Sequence, residues 1–377
     1  MNAIQEYVNN AKLGNAQVYQ NMAVVPLKVD GGSLDYMLFD DALKKGLAIK
    51  ETGSVGQLNI SNNTGHDVFI MQGEYVVGGK QNRMVSTNIL LANGYTGKIP
   101  TNCVEQHRWT GGDFSSLRKF ESAKSYAPRR VCFAAADGQG AVWGEVHKLH
   151  ADHKVASPTE NLDDLYTQKG DSIDEYMSHF NYEPGTKGVI VIRQMNGRKQ
   201  FGVDLFDSPG TMESHFEKLV KSYAVEAMNR GTDVHGTEDE IRAFLNQVQG
   251  AQFQSRKPVS LGQDYKIQGS SIRGFGLVHN NVPAYVTFAA RKSGQDIFRD
   301  TQEEPEIEFQ RPDMFPDNEF DVLSPGIRPR PNGPTFRGGP HSRDPFRTRY
   351  HTMHGPMDDD TIIGINDADM CGIWRRK

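Results

Sequence analysis

The stretch GVIVIRQMNGRKQFGVDLF, Gly188–Phe206, decides the fold. Two runs of β-branched and aromatic residues, Gly188–Ile192 and Phe201–Phe206, flank Met195-Asn196-Gly197-Arg198. Asn-Gly between two such runs is the strongest short-range hairpin cue, because both central positions of the tight turn need a positive φ. A long amphipathic helix follows, from about Thr211 to Asn229. In it Met212, Phe216, Leu219, Val220, Tyr223 and Ala227 fall at three- and four-residue steps, with Gly231 as its stop. Upstream, Ala23–Val29 and Leu34–Phe39 bracket Asp30-Gly31-Gly32-Ser33, which predicts a second hairpin. Asp40–Gly46 has acids at its front, lysines at its back and a terminal Gly, which suits one short helix. Strands are expected at Leu47–Lys50, Gln57–Ile60, Val259–Leu261, Tyr265–Gln268, Gly274–His279 and Ala284–Ala290. Helices are expected at Gly140–His153, Ser172–Phe180 and Glu238–Val248. Strands and helices do not alternate regularly, so a doubly wound parallel sheet is not expected. The fold class is α+β, a mainly antiparallel sheet assembly with several helices.

Composition bounds the rest. The chain has 377 residues, enough for a large core, but only 37% are hydrophobic, and mean hydropathy is −0.59. Part of it is therefore expected outside any core. Roughly ten of the 18 prolines lie beyond residue 300, together with Arg-Gly-Gly and a terminal Arg375-Arg376-Lys377. Such a segment cannot bury enough apolar surface to offset its ordering entropy. The expected division is a single α+β domain over 1–291 and a mostly disordered tail over 292–377. A net charge of −5 gives no global basic field for nucleic acid or an anionic membrane. No apolar run approaches the roughly 20 residues needed to span a bilayer. Cys103, Cys132 and Cys371 are too scattered for a disulfide framework, which suits a reducing cytoplasm.

The chemistry is expected in Met71–Trp109. Lys80-Gln81-Asn82-Arg83 and the run Cys103–Trp109 flank the apolar Ile89-Leu90-Leu91. Large polar residues in a strand region must be solvated, paired or in contact with a ligand, because burying them unpaired costs roughly 2–7 kcal/mol each. Lys80 and Arg83 suit phosphate, as point charge and bidentate fork, and Arg108 is a further ligand-binding candidate. Gln81 and Asn82 suit a base or ribose edge. Gly78-Gly79 allows close backbone approach to a ligand. Glu74 and Glu105 are the acid/base candidates, and the alternative is that they neutralise Lys80, Arg83 and Arg108. Cys103 and His107 suggest a nucleophile and base, yet on an extended strand they stand about 13 Å apart at about 3.3 Å per residue, so a structural thiol is expected. His147, His150 and His153 step along a helix with drift, which suits a solvated face better than a metal site. Trp109 and Trp143 are candidates for stacking on a base, with core packing as the alternative. No P-loop or dinucleotide fingerprint is present, and no metal or cofactor is named by these residues.

Several separated runs, in one order, resemble the ADP-ribosylglycohydrolase-and-rhodanese-phosphatase-associated domain family. They include Gly73-Glu74, Gly78–Arg83, Thr87-Asn88-Ile89-Leu90, Cys103-Val104-Glu105, Arg108-Trp109, Gln139–Trp143, Ser157-Pro158-Thr159, Gly202–Asp207, Lys221–Ala224 and Gly276–His279, across roughly residues 17 to 290. The resemblance implies a substrate class, since that family keeps company with enzymes that make, remove or process ADP-ribose. It carries no histidine series. Three functions stay open. The first is a cytoplasmic domain of ADP-ribose or NAD-linked nucleotide metabolism that binds or processes an ADP-ribose-type or other phosphorylated ligand. The second is a non-catalytic module binding such a ligand or a modified partner. The third is a structural or assembly protein whose polar cluster is an internal network.

Overall fold

In a computed structural model, residues 1–108, 119–195, 197–228, 231–234 and 236–290 are described. The expectation of a tail over 292–377 falls outside them. The hairpin forms as expected: Gly188–Met195 pairs with Arg198–Phe206 from Gly188 opposite Leu205 to Met195 opposite Arg198, and Gly197 turns at φ +74°. Around it grows a nine-stranded, wholly antiparallel sheet. Its order runs Lys12–Leu13, Met22–Lys28, Gly188–Met195, Arg198–Phe206, Val282–Ala290, Ile272–His279, Gln263–Gln268 and Gln252–Arg256, with Gln17–Tyr19 also on Met22–Lys28.

Alternation along the central strands explains why they read as unbroken apolar runs. Val189 and Val191 enter one core, whereas Ile190 and Ile192 enter another on the opposite face. Helices Ala3–Asn9 and Glu238–Asn246 cover the second face; Ile4, Tyr7, Ile241 and Phe244 pack there. Helix Pro209–Ala227 covers the first, laying down Met212, Phe216, Leu219, Val220 and Tyr223. The Ser208 side chain caps that helix by accepting from the Thr211 N–H, and Pro209 opens it. Two buried ion pairs fasten helices to the sheet: Arg129 to Asp204 at 3.1 Å, and Arg193 to Glu226 at 2.5 Å.

The expected hairpin at 23–39 does not form. Met22–Lys28 is buried on both faces and takes the longer partner Gly188–Met195. Met37–Leu38 instead runs parallel to Val68–Ile70 in a three-stranded sheet completed by Ile89–Leu91. The Leu34 N–H binds the Asp207 carboxylate, which draws the connection toward the long helix. Val259–Leu261 is likewise no strand; only Leu261 bridges, to Leu90. A six-stranded sheet holds Glu121–Ser122, Tyr75–Val77, Arg83–Val85, Thr96–Cys103, Gln57–Asn62 and Leu47–Glu51 in that order. Among the described residues, no helix is long and apolar enough to cross a membrane.

Candidate functional site

Tyr75–Val77 lies between Arg83–Val85 and Glu121–Ser122, with Val76 opposite both Arg83 and Ser122. This strand therefore separates two polar clusters. The first is the 80–83 run. Its turn passes through Gly78 and Gly79, at φ +129° and +53°. A Cβ on Gly79 would stand 2.2 Å from the Phe120 ring and 2.6 Å from Glu51 Oε1, so only glycine fits. The Lys80 N–H donates to Glu51 Oε1 at 2.7 Å, and Arg83, 0% exposed, places Nη2 3.6 Å from Glu51 Oε2. Gln81 accepts from Arg83 Nη1 and from the Cys103 thiol, and its amide donates to the Gln106 carbonyl. Asn82 accepts from the Gly78 N–H and donates to Asn161.

Glu105 and Arg108 close this cluster. Glu105 Oε1 accepts from Arg108 Nε at 2.7 Å and from Thr159 Oγ1 at 3.0 Å, while Oε2 accepts the Asn82 N–H at 3.1 Å. Arg108 Nη1 donates to the Gly79 carbonyl, and Nη2 to the Gly78 carbonyl and Asn82 Oδ1. Five sequence candidates thus meet: Gln81, Asn82, Arg83, Glu105 and Arg108, with Lys80 attached through its backbone. Burial pushes the Cys103 thiol up to about 12, with the carboxylates of Glu51 and Glu105 adding to the rise against Arg83. His107 is exposed while Cys103 is buried. Among the described residues the thiol's hydrogen bonds go to Gln81 and the Val55 carbonyl, none to His107.

Trp109 lies outside the described residues. Trp143 is half-buried on helix Gln139–His153, and its indole N–H meets no acceptor among the described residues. The histidine series departs from the solvated face expected of it. His147 is exposed and bonds Glu160, but His150 and His153 are buried, and burial lowers both their pKa values. The helix packs more of its circumference than the apolar residues alone indicated. Among the described residues, no group of three His, Cys, Asp or Glu side chains is placed to hold a metal.

Glu74 does not join Glu105; among the described residues the two share no hydrogen-bond partner. Glu74 turns toward the long helix. Its Oε2 accepts the Met71 N–H at 2.6 Å, and its Oε1 lies 4.0 Å from His215 Nε2. His215 Nδ1 is 2.8 Å from the Thr211 carbonyl, which can only accept, so Nδ1 carries the ring proton and Nε2 a lone pair. That Nε2 is buried and has no hydrogen-bond partner among the described residues. Burial lowers His215 to about 4, against the Thr211 carbonyl and the Asp40 charge. Burial, reinforced by the Asp40 charge, raises Glu74 to about 8. At neutral pH Glu74 is therefore a carboxylic acid and His215 a neutral base. Above them Asp40 Oδ2 accepts from Lys218 Nζ at 2.5 Å, and Asp40 Oδ1 accepts a short bond from Ser122 Oγ. Burial alone would raise Asp40, but the bonds from Lys218 and Ser122 outweigh it and its pKa falls. Tyr126 places its ring 5.5 Å from Lys218 Nζ and 5.6 Å from the His215 ring.

Both clusters lie in one segment of recognisable ancestry. The family model described as ARG and Rhodanese-Phosphatase-superfamily-associated Protein domain matches residues 10–289. The chain belongs to that family. The ARG and Rhodanese-Phosphatase-superfamily-associated Protein domain thus spans the nine-stranded sheet, the long helix and both polar clusters. No curated protein and no solved structure matches the chain. The association in the family's name is loosely consistent with ADP-ribose-linked metabolism.

Reasoning from sequence missed Glu51, Asp40, Ser122, His215 and Lys218. For the last two a signal existed. Thr211, His215, Lys218, Ser222 and Glu226 follow each other at steps of four, three, four and four residues. Polar residues repeating at helical spacing next to an apolar stripe mark a polar seam on a helix that packs inward. Two surface hollows lie elsewhere. One of about 440 Å³ is lined by Val18, Tyr19, Gln20, Asp233, Val234 and Gly236. The other, of about 390 Å³, includes Asp174, Phe216 and Lys221.

Proposed function

We propose that the domain binds and processes an ADP-ribose-type or other phosphorylated ligand of NAD-linked nucleotide metabolism, in the cytoplasm, with Glu74 as general acid and Asp40 as general base. One observation carries the reading: two carboxyls of one cluster are driven in opposite directions, Glu74 up to about 8 and Asp40 down. Divergent environments of this kind divide acid from base. Glu74, which holds its proton at neutral pH, supplies it to the leaving-group atom as that atom's bond to the ribosyl or acyl carbon breaks. Asp40, ionised, takes a proton from water as the water oxygen bonds to the ribosyl or acyl carbon. Glu105, assigned to acid/base work from sequence, is in this reading part of the frame with Gln81, Asn82, Arg83 and Arg108. Lys80, Trp109 and Trp143 remain ligand-contact candidates on the family resemblance.

The test is hydrolysis of an ADP-ribosylated peptide and of ADP-ribose esters. Glu74→Gln is expected to lower kcat/KM by about 10²–10⁴, with ADP-ribose affinity retained. Undiminished turnover in that variant removes the reading. The alternative of a structural protein with an internal polar network is favoured by the saturation of the Arg108 guanidinium, which already has four acceptors. It expects a folded protein with no ligand response, destabilised by both Glu105→Gln and Arg83→Ala.

A further inference from the structure

Asp40 is held from two sides at the solvent end of the second cluster. Its side chain is 39% exposed and that of Lys218 19%, while Glu74 and His215 beneath are 4% and 3% exposed. Lys218 Nζ donates to Asp40 Oδ2 at 2.5 Å and to Ser122 Oγ at 3.3 Å, and Ser122 Oγ donates to Asp40 Oδ1. An ammonium and a hydroxyl thus converge on one carboxylate, each taking one of its oxygens. Two oxygens of a phosphoryl group present the same pattern. An ammonium on a flexible stem is a common point-charge partner for phosphate.

The charges around this spot leave room for such an exchange. Lys218 faces Asp40, Ser122 and the Tyr126 ring, with Glu74 and His215 below. Glu74 is protonated and His215 neutral, and among the described residues the carboxylate ion-paired to Lys218 is that of Asp40. Among the described residues the buried His215 Nε2 has no hydrogen-bond partner, so the floor of the cluster is not saturated by them.

We infer that Lys218 and Ser122 form the phosphate subsite of the site proposed above, and that Asp40 is its internal occupant in the ligand-free chain. A phosphoryl group arriving there displaces the carboxylate from both donors. Asp40 swings clear as a free base, so binding switches on the group that activates water. This inference rests on the ADP-ribose reading and names its anchoring chemistry.

The consequence has an unusual sign. Binding of inorganic phosphate, ADP-ribose and phosphate-free adenosine is compared by calorimetry in the wild type, Lys218→Met, Lys218→Arg and Asp40→Asn, each checked for native circular dichroism. Lys218→Met is expected to weaken phosphate and ADP-ribose by about 10-fold or more, as for loss of a charged hydrogen bond, and to leave adenosine within about twofold. Lys218→Arg restores most of the loss, which keeps the test alive should the methionine variant not fold. Asp40→Asn is expected to tighten phosphate and ADP-ribose several-fold while turnover falls, because a neutral amide competes less for the ammonium. Weakened or unchanged binding in Asp40→Asn overturns the inference. So does wild-type affinity in Lys218→Met, or failure of the wild type to bind either phosphate or ADP-ribose. Should these affinities behave as expected while Glu74→Gln keeps full turnover, the subsite stands and the acid/base reading alone falls.

Discussion

The two polar clusters on either side of Tyr75–Val77 contain similar residues and have opposite characters. Around Arg83, Glu105 and Arg108, carboxylates meet guanidinium groups, amides and backbone N–H groups. Both oxygens of Glu105 accept hydrogen bonds, and Arg108 has acceptors for its Nε and both terminal nitrogens. Around Glu74, by contrast, an acid is kept protonated, a histidine lone pair meets no donor among the described residues, and a lysine is ion-paired to the Asp40 carboxylate. The difference is one of charge pairing more than of saturation: Glu51 Oε2 in the first cluster is also buried without a hydrogen bond among the described residues, but it faces the Arg83 guanidinium at 3.6 Å. Buried charges of the first kind hold a turn in place, whereas groups of the second kind sit away from their ordinary protonation states, which is what functional sites require.

The largest expected effect is a split in pH dependence. The folded chain keeps the Glu74 proton up to about pH 8, whereas the unfolded chain releases it near 4.5. That contribution to stability is complete below about 4.5 and is lost as pH rises through 8. Glu74→Gln should therefore match the wild type near pH 5 and exceed it at pH 9, by up to about 5 kcal/mol at about 1.36 kcal/mol per unit. His215 has the opposite sign: its contribution is present above 6.5 and is lost as pH falls through about 4. His215→Gln should flatten the acid limb by about 3 kcal/mol on the same conversion. Urea unfolding from pH 4 to 9 measures both, and parallel profiles for wild type and variants would erase the contrast between the clusters.

Next in size is Arg83→Met. Removing one partner of a buried ion pair leaves Glu51 uncompensated, at a cost of about 3–5 kcal/mol. Adding Glu51→Gln should return part of it. A loss under about 1 kcal/mol, read from the urea midpoint at unchanged slope, would show that the first cluster is no frame.

The legibility of these features in the sequence follows their physical range. The hairpin at Gly188–Phe206, the capped helix after Ser208 and the antiparallel character were written in local turn chemistry and periodicity. So was the convergence of Gln81, Asn82, Arg83, Glu105 and Arg108, which lie within one short segment. What failed depended on contacts far along the chain. Leu34 gives its N–H to Asp207 and so abandons the hairpin, and Asp40 meets Lys218 across 178 positions. Glu74 and Glu105, a pair in the sequence, do not meet in the fold. The actual neighbours of Glu74 come from a helix read for its apolar stripe, on which the polar seam from Thr211 to Glu226 went unread.

Smaller effects sharpen the frame further. Gly79→Ala combines a positive φ with a Cβ inside contact distance of Phe120 and Glu51, and should cost about 1–3 kcal/mol without moving the Glu74 pH limb. Arg108→Lys is the most discriminating of the small changes. Lysine keeps the charge and can still reach Glu105, but its single ammonium cannot span the Gly78 and Gly79 carbonyls and Asn82 together. If Arg108 holds the turn, the variant should lose about 1–2 kcal/mol and show faster amide exchange at Gly78 and Lys80, whose N–H groups bond Asn82 and Glu51. ADP-ribose affinity should stay within about twofold, since the phosphate subsite lies across the strand at Lys218. If affinity falls 10-fold while stability and exchange are unchanged, Arg108 contacts the ligand, and the division between a frame and a working cluster is wrong.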